Sequence, residues 1–306
     1  MAVADAVRPV AARTESNGPR GRLRILLCLA GVLLSLHAAA ESRRLPVPGI
    51  TGSDNRVTID SRQFPWSAVG RLNITIGGFC TATVIGPRQV LTAAHCLWNK
   101  RTGRWLPACA LHFLAGYQRG EYAVHALVSG VHIADGFQMG RKRRLGRDWA
   151  VVTLDRDVSA KTGVVDLAGL PVASGQALVQ AGYSRDRAHV LTVDSACRSH
   201  AVSVKEHLFT HNCDATFGDS GSPILIRQDD GYALVGIHTA LRGRGQKAQG
   251  VAVSAQAIGD WLDANPVSRP PGGVKACATE PPSAPPDALW SAESQPGVAP
   301  LRQRRG

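Results

Sequence analysis

The sequence predicts an all-β fold. Two observations carry this. Short runs of β-favouring residues recur along the chain, as in Gly78-Phe79-Cys80-Thr81-Ala82-Thr83-Val84-Ile85 and Gln89-Val90-Leu91-Thr92. Glycine-containing turns separate them, here Gly86-Pro87-Arg88. Evenly spaced short strands with such turns argue for a barrel or sandwich, and against alternating strand and helix units. The chain has 306 residues and is 44% hydrophobic, enough for a sizeable core and incompatible with disorder throughout.

Taken in order, residues 1–24 are polar and contain arginines. Ile25 to Leu36 is apolar, and His37-Ala38-Ala39-Ala40-Glu41 follows. A basic flank, a short apolar core and an Ala-x-Ala ending describe a signal peptide over 1–40, cut after Ala40. An uncleaved membrane anchor is the alternative, although the run is short of the ~20 residues a span needs. No later stretch could cross a membrane. Residues 41–56 read as a leader or propeptide with a dibasic pair at Arg43-Arg44.

Further strands are expected near 111–116, 122–133 and 149–154. The second half continues with 176–183, 189–193, 201–205, 223–227, 232–238 and 249–253. Ala255 to Ala264 reads as a helix with Ile258, Trp261 and Leu262 on one face. Beyond Asn265 the chain is rich in Pro, Ser, Ala and Gly. Such a composition cannot offset its ordering entropy, so 266–306 reads as a disordered tail.

The net charge is +12. A basic surface attracts acidic polymers non-specifically. The run Arg141, Lys142, Arg143, Arg144 and Arg147 reads as part of a solvated loop, and no nucleic-acid partner is expected. Seven cysteines are present, and Cys28 lies in the signal segment. The remaining even number, behind an export signal, points to disulfides and an oxidising compartment, secreted or periplasmic.

Three motifs carry chemistry: Leu91-Thr92-Ala93-Ala94-His95-Cys96, Arg147-Asp148-Trp149-Ala150, and Phe217-Gly218-Asp219-Ser220-Gly221-Ser222-Pro223. A serine in a tight glycine turn is a weak nucleophile until a base takes its proton. Histidine titrates near neutrality and suits that task. An aspartate holds the histidine tautomer and stabilises the imidazolium. The order His, Asp, Ser is not that of subtilisin or of the α/β-hydrolases, and Ser222 replaces the last glycine of the hydrolase elbow. His200, His207 and His211 do not suggest zinc, because a spacing of four favours a metal on a helix and this region reads as strand.

These motifs resemble the trypsin-like serine endopeptidases of the chymotrypsin family, closest to the bacterial branch that includes glutamyl endopeptidases. The similarity runs from about Ile50 to Asn265. It implies two antiparallel six-stranded β-barrels, at about 57–160 and 165–265, with a C-terminal helix and a cleft between the barrels. It also implies peptide-bond hydrolysis through an acyl-enzyme. His95, Asp148 and Ser220 would be catalytic, and the backbone N–H groups of Gly218 and Ser220 would form the oxyanion hole. Substrates would be proteins or peptides, and no cofactor or metal would be needed. The rival reading is a catalytically silent member acting as a binding module.

The resemblance pairs Cys80 with Cys96, and Cys197 with Cys213 by the same separation. Cys109 and Cys277 are left as a pair or as two free thiols. In trypsin-like enzymes the aspartate at Asp219 pairs with a new N-terminus released from a zymogen, but the usual Ile-Val-Gly-Gly is missing, with Ile50-Thr51-Gly52 nearest. For the specificity pocket the resemblance singles out Asp214, His238, Thr239, Leu241 and Gly250. Asp214 stands at the offset that selects Arg or Lys. His238 matches the histidine that binds acidic side chains in glutamyl endopeptidases. The two pull in opposite directions, and the expected order of preference is basic, then small or apolar, then acidic.

Overall fold

The computed structural model describes residues 47–140, 144–243 and 245–265. The signal peptide, residues 41–46 of the leader, the tail and Cys277 lie outside the described residues. So do Arg141 to Arg143.

Strands β2 (Val69–Ile74), β3 (Phe79–Gly86), β4 (Gln89–Thr92), β7 (Leu111–Ala115), β8 (Val124–Ile133) and β9 (Ala150–Leu154) close into an antiparallel barrel in the order β2-β3-β4-β9-β8-β7. Its core includes Leu72, Val84, Leu91, Phe113 and Val152. β4 and β9 are buried along their whole length, and β9 accordingly reads as a largely apolar run without alternation. The short pair β5 (Trp98–Asn99) and β6 (Arg104–Trp105) stands apart, its two tryptophans edge to face.

The second sheet runs β1-β11-β10-β13-β14-β15-β12. Its members are β1 (Val57–Thr58), β10 (Ala177–Gly182), β11 (Thr192–Ser203), β12 (Leu208–His211), β13 (Pro223–Gln228), β14 (Gly231–Arg242) and β15 (Gln249–Ser254). β12 pairs back onto β11, which closes six strands and leaves β1 outside. The expected two-barrel architecture is present.

Two strands differ from expectation. The expected strands 189–193 and 201–205 are parts of one strand, β11. Its middle alternates buried Cys197 and Ser199 with exposed Arg198 and His200, but the buried positions are small or polar and give no apolar alternation. The sequence around His207 and His211 reads as strand, but it delimits no separate strand at β12. Only Leu208 and Phe209 are apolar in it, and its other inward residue is His211.

The helix α1 (Ser159–Thr162) is short, and α2 (Gln256–Ala264) closes the domain. Ile258 is fully buried, while Trp261 and Leu262 pack against the same core. Trp261 stacks on the ring of His132 at 4.1 Å. Among the described residues no helix is long and apolar enough to cross a membrane.

The chain just before β1 is held to the second sheet's side of the fold through Arg56. Arg56 has a side chain only 2% exposed, paired with Asp54 at 2.9 Å and Asp186 at 2.7 Å. Arg187 adds a second contact to Asp54. A buried guanidinium needs this pairing, since an uncompensated charge there costs several kcal/mol.

Candidate active site

His95 sits in the turn Ala94–Leu97 after β4, and Asp148 follows the turn Leu145–Arg147 before β9. β4 and β9 are neighbours, with Thr92 opposite Ala150. Histidine and aspartate therefore leave paired strands at the same end of the barrel. His95 Nδ1 lies 2.9 Å from Asp148 Oδ2, and the His95 backbone N–H donates to Oδ1 at 2.9 Å. Asp148 is 0% exposed. The far nitrogen, His95 Nε2, lies 2.9 Å from Ser220 Oγ.

Ser220 belongs to the second barrel, in the turn before β13. Thr81 of β3 ties it to the first. The Thr81 N–H donates to the Ser220 carbonyl at 2.9 Å, and its hydroxyl donates to the Gly218 carbonyl at 3.1 Å. Gly218 has φ +100°, and a Cβ there would stand 2.5 Å from the Tyr183 carbonyl oxygen. Only glycine fits such a backbone so close to its neighbour. Among the described residues the Gly218 and Ser220 N–H groups have no protein acceptor. Thr81 was missed by the sequence reading, and its position beside Cys80 was the available signal.

Both expected disulfides are present. Cys80–Cys96 joins β3 to the turn that carries His95, and Cys197–Cys213 joins β11 to the approach to Ser220. Cys80, Cys96 and His95 come close together, but the two sulfurs are spent on each other. Cys109 is exposed and forms no disulfide among the described residues.

Asp219 is buried, and its Oδ2 accepts hydrogen bonds from Ser184 Oγ at 2.7 Å and the Thr216 N–H at 2.8 Å. Burial pushes its carboxyl up to about 6, against the pull of these bonds.

The pocket residues depart further from expectation. Asp214, singled out for the pocket floor, is engaged by the segment before β1. Its carboxylate accepts from the Thr51 N–H at 3.3 Å, the Asn55 N–H at 2.8 Å and Asn55 Nδ2 at 3.2 Å. Burial raises its carboxyl above the usual range, and the bonds from Asn55 and Thr51 oppose that. Asp214 clamps the segment before β1. Leu241 faces the same segment, since a Cβ on Gly49 would meet its side chain at 2.7 Å.

Gly250, the last of the residues singled out for the pocket, lies under His211. The space over it is filled by the ring of His211, whose Cε1 a Cβ would meet at 2.1 Å. His211 Nε2 lies 3.1 Å from His238 Nδ1, and both rings are buried. Burial, with the neighbouring imidazoles, lowers both: His211 falls well below its ordinary value and His238 to about 3. Thr239 is buried beside them, with its hydroxyl 3.4 Å from the Val251 carbonyl.

The tautomers follow from one donor. The Cys213 N–H can only donate, and it donates to His211 Nδ1 at 3.2 Å. Neutral His211 therefore carries its proton on Nε2 and donates it to His238 Nδ1. Neutral His238 must then carry its own proton on Nε2. His211, set aside in the sequence, orients His238. Its register opposite Gly250 was not legible without the strand pairing.

The trypsin family model matches residues 54–262. Cercarial protease of Schistosoma mansoni is 28% identical over 178 residues, 48% of this chain and 65% of that protein. Serine protease 23 of Rattus norvegicus is 26% identical over 216 residues, 62% of this chain and 54% of that one. Glutamyl endopeptidase of Bacillus licheniformis is 33% identical over 58 residues, 19% of this chain and 18% of that one. The chain thus spans less than two thirds of the length of each of these relatives. A solved Glu endopeptidase superposes with a TM-score of 0.60 at 20% identity, covering 70% of this chain and 98% of that one, a likeness of fold. With the family model matched across both barrels, this chain belongs to the trypsin family of serine proteases.

Proposed function

We propose that the chain is an exported serine endopeptidase that works through an acyl-enzyme. The observation that carries this is the chain of contacts from Ser220 Oγ to His95 Nε2 and from His95 Nδ1 to Asp148 Oδ2, both 2.9 Å. His95 takes the Ser220 proton as Oγ attacks the peptide carbonyl. The Ser–carbonyl bond forms, and the oxyanion lies against the Gly218 and Ser220 N–H groups. His95 then gives the proton to the leaving amine as the C–N bond breaks, and water repeats the sequence to release the acid. The buried Asp148 keeps the proton of His95 on Nδ1 and steadies the imidazolium. Two disulfides support an oxidising compartment.

The pocket favours an acidic or amide side chain on the residue whose carbonyl is attacked. His238 offers a neutral Nε2–H on the side away from His211, while the Asp214 carboxylate is already engaged. This differs from the expected order of basic, then small or apolar, then acidic.

A fluorophosphonate probe tests the mechanism. The wild type should be labelled on Ser220, and Ser220→Ala should be unlabelled with turnover reduced by several orders of magnitude. Labelling of the alanine variant at the wild-type rate would remove Ser220 as nucleophile.

A further inference from the structure

A second pair of histidines stands on the outer face of the first barrel. His112 of β7 and His125 of β8 bring Nδ1 and Nε2 to 3.1 Å, with their rings edge to face. Strand register puts them there. His112 lies opposite Leu127 and His125 opposite Leu114, so the rings are diagonal neighbours on one face of the strand pair. Phe113 and Ala126, at the alternate positions, point into the barrel core. Both histidines are partly exposed. β8 runs on from His125 to Ile133, which lies opposite Ala150 at the catalytic end of the barrel. At about 3.3 Å per residue the pair stands well away from Asp148 and His95.

This pair differs from His211 and His238 in what surrounds it. There the Cys213 N–H fixes one tautomer, and burial shuts out any ligand. Here neither ring has a further hydrogen-bond partner or a paired carboxylate among the described residues. Burial, the second imidazole and the Arg71 charge hold His112 below its ordinary value, in the neutral form that ligates metals. Arg71 opposes a metal cation as it opposes a proton. Its guanidinium is turned onto the rings of Phe79 and Tyr117, at 4.1 and 4.8 Å, and donates to the Ala188 carbonyl at 2.8 Å. Two nitrogens bound to one ion at 2.0–2.1 Å stand roughly 2.8–3.4 Å apart for angles between about 90° and 109°. The observed 3.1 Å lies within that range.

We infer that His112 and His125 form a binding site for a divalent transition metal of the zinc and copper class, which joins β7 to β8 through His112 Nδ1 and His125 Nε2. Each neutral ring then carries its single proton on its other nitrogen, so binding need release none. Water or a solute completes the coordination. Imidazole donors without a carboxylate select Zn²⁺, Ni²⁺ and Cu²⁺ over Ca²⁺ and Mg²⁺. Both ligands sit on paired strands, which fix their spacing better than loops would. The site is independent of the endopeptidase reading.

The test titrates Zn²⁺ into the full chain by calorimetry, in a buffer that does not bind metals. The wild type should bind one more Zn²⁺ per chain than His112→Asn or His125→Asn. Cys109→Ser should keep the wild-type number, since the exposed thiol has no part in the site. Cu²⁺ should bind more tightly than Zn²⁺, and its electron paramagnetic resonance spectrum should show two coupled imidazole nitrogens, of which each histidine variant loses one. The thermal midpoint of the wild type should rise with Zn²⁺ concentration, and the rise should shrink in both variants. Equal numbers of bound Zn²⁺ in the wild type and a folded histidine variant overturn the site. So does loss of the extra Zn²⁺ in Cys109→Ser, or its displacement by an equal concentration of Ca²⁺. A wild-type copper spectrum without two coupled imidazole nitrogens overturns it whether or not the variants fold.

Discussion

His211 and His238 sit ring against ring in the second barrel, Nε2 to Nδ1 at 3.1 Å, with no carboxylate between them. Two imidazoles so placed cannot both be charged without strong repulsion in a dry interior. The pair is neutral, and its proton order is set from the Cys213 backbone. It links the strand β12, which the sequence hides, to the pocket.

The pair makes stability depend on pH. Both histidines titrate below their unfolded value of about 6.5. Their stabilising contribution is present above that pH and is lost as pH falls towards 3, because the unfolded chain takes up protons that the folded chain excludes. Asp219 acts in the opposite sense. With its carboxyl raised to about 6, its contribution is present at low pH and is lost as pH rises through 6. Between pH 6 and 4 the two histidines favour a loss of stability on acidification, and Asp219, with the raised carboxyl of Asp214, opposes it. Denaturant midpoints across that range should fall with pH in the wild type. They should fall less steeply in His211→Gln, His238→Gln, and parallel slopes would remove the pair as the cause.

Gly250→Ala should be poorly tolerated. Its Cβ would overlap the His211 ring, so ring or strand must shift, at a cost of roughly 1–3 kcal/mol. The displaced His211 no longer orients His238, and preference for Glu over Ala at the attacked residue should shrink. An unchanged Glu-to-Ala ratio in a destabilised protein would mean that His211 has no part in selection.

Asp214→Asn separates clamp from selector. An amide cannot accept the three hydrogen bonds from Thr51 and Asn55 as the carboxylate does. The variant should lose roughly 1–3 kcal/mol, and the segment before β1 should exchange its amide protons faster. Its ratio of Glu to Arg cleavage should stay as in the wild type. Appearance of an Arg preference that depends on Asp214 would restore it to the pocket floor.

Asp148→Asn should keep the fold and lower kcat on the order of 10⁴-fold. The amide leaves His95 in the wrong tautomer to accept from Ser220. The rate should recover partly at high pH if any hydroxide-assisted route operates, while thermal midpoints stay close to the wild type. A loss below tenfold would place the base elsewhere.

Much of this protein was determined by the sequence itself. The runs around Val84 and Val152 specify strands because they are apolar, β-branched and bounded by turns. The motifs around His95, Asp148 and Ser220 were legible because the chemistry needs particular residues within a few positions of one another. The pairing of Cys80 with Cys96 was implied by the family resemblance that these motifs carry.

Only the tertiary structure decided what Asp214, His211, Gly250 and Arg56 do. Asp214 has an offset from Ser220 that suggests a selector, yet its partners lie 159 and 163 residues away. His211 reaches His238 because β12 and β14 flank β15 in register, with Gly250 opposite both His211 and Leu241. Arg56 is buried because Asp186 comes to it from 130 residues further on. Local sequence specifies backbone conformation and the chemistry of a short motif. Which distant groups satisfy a buried charge or fill the space over a glycine depends on strand register and barrel closure, which no short stretch of sequence contains.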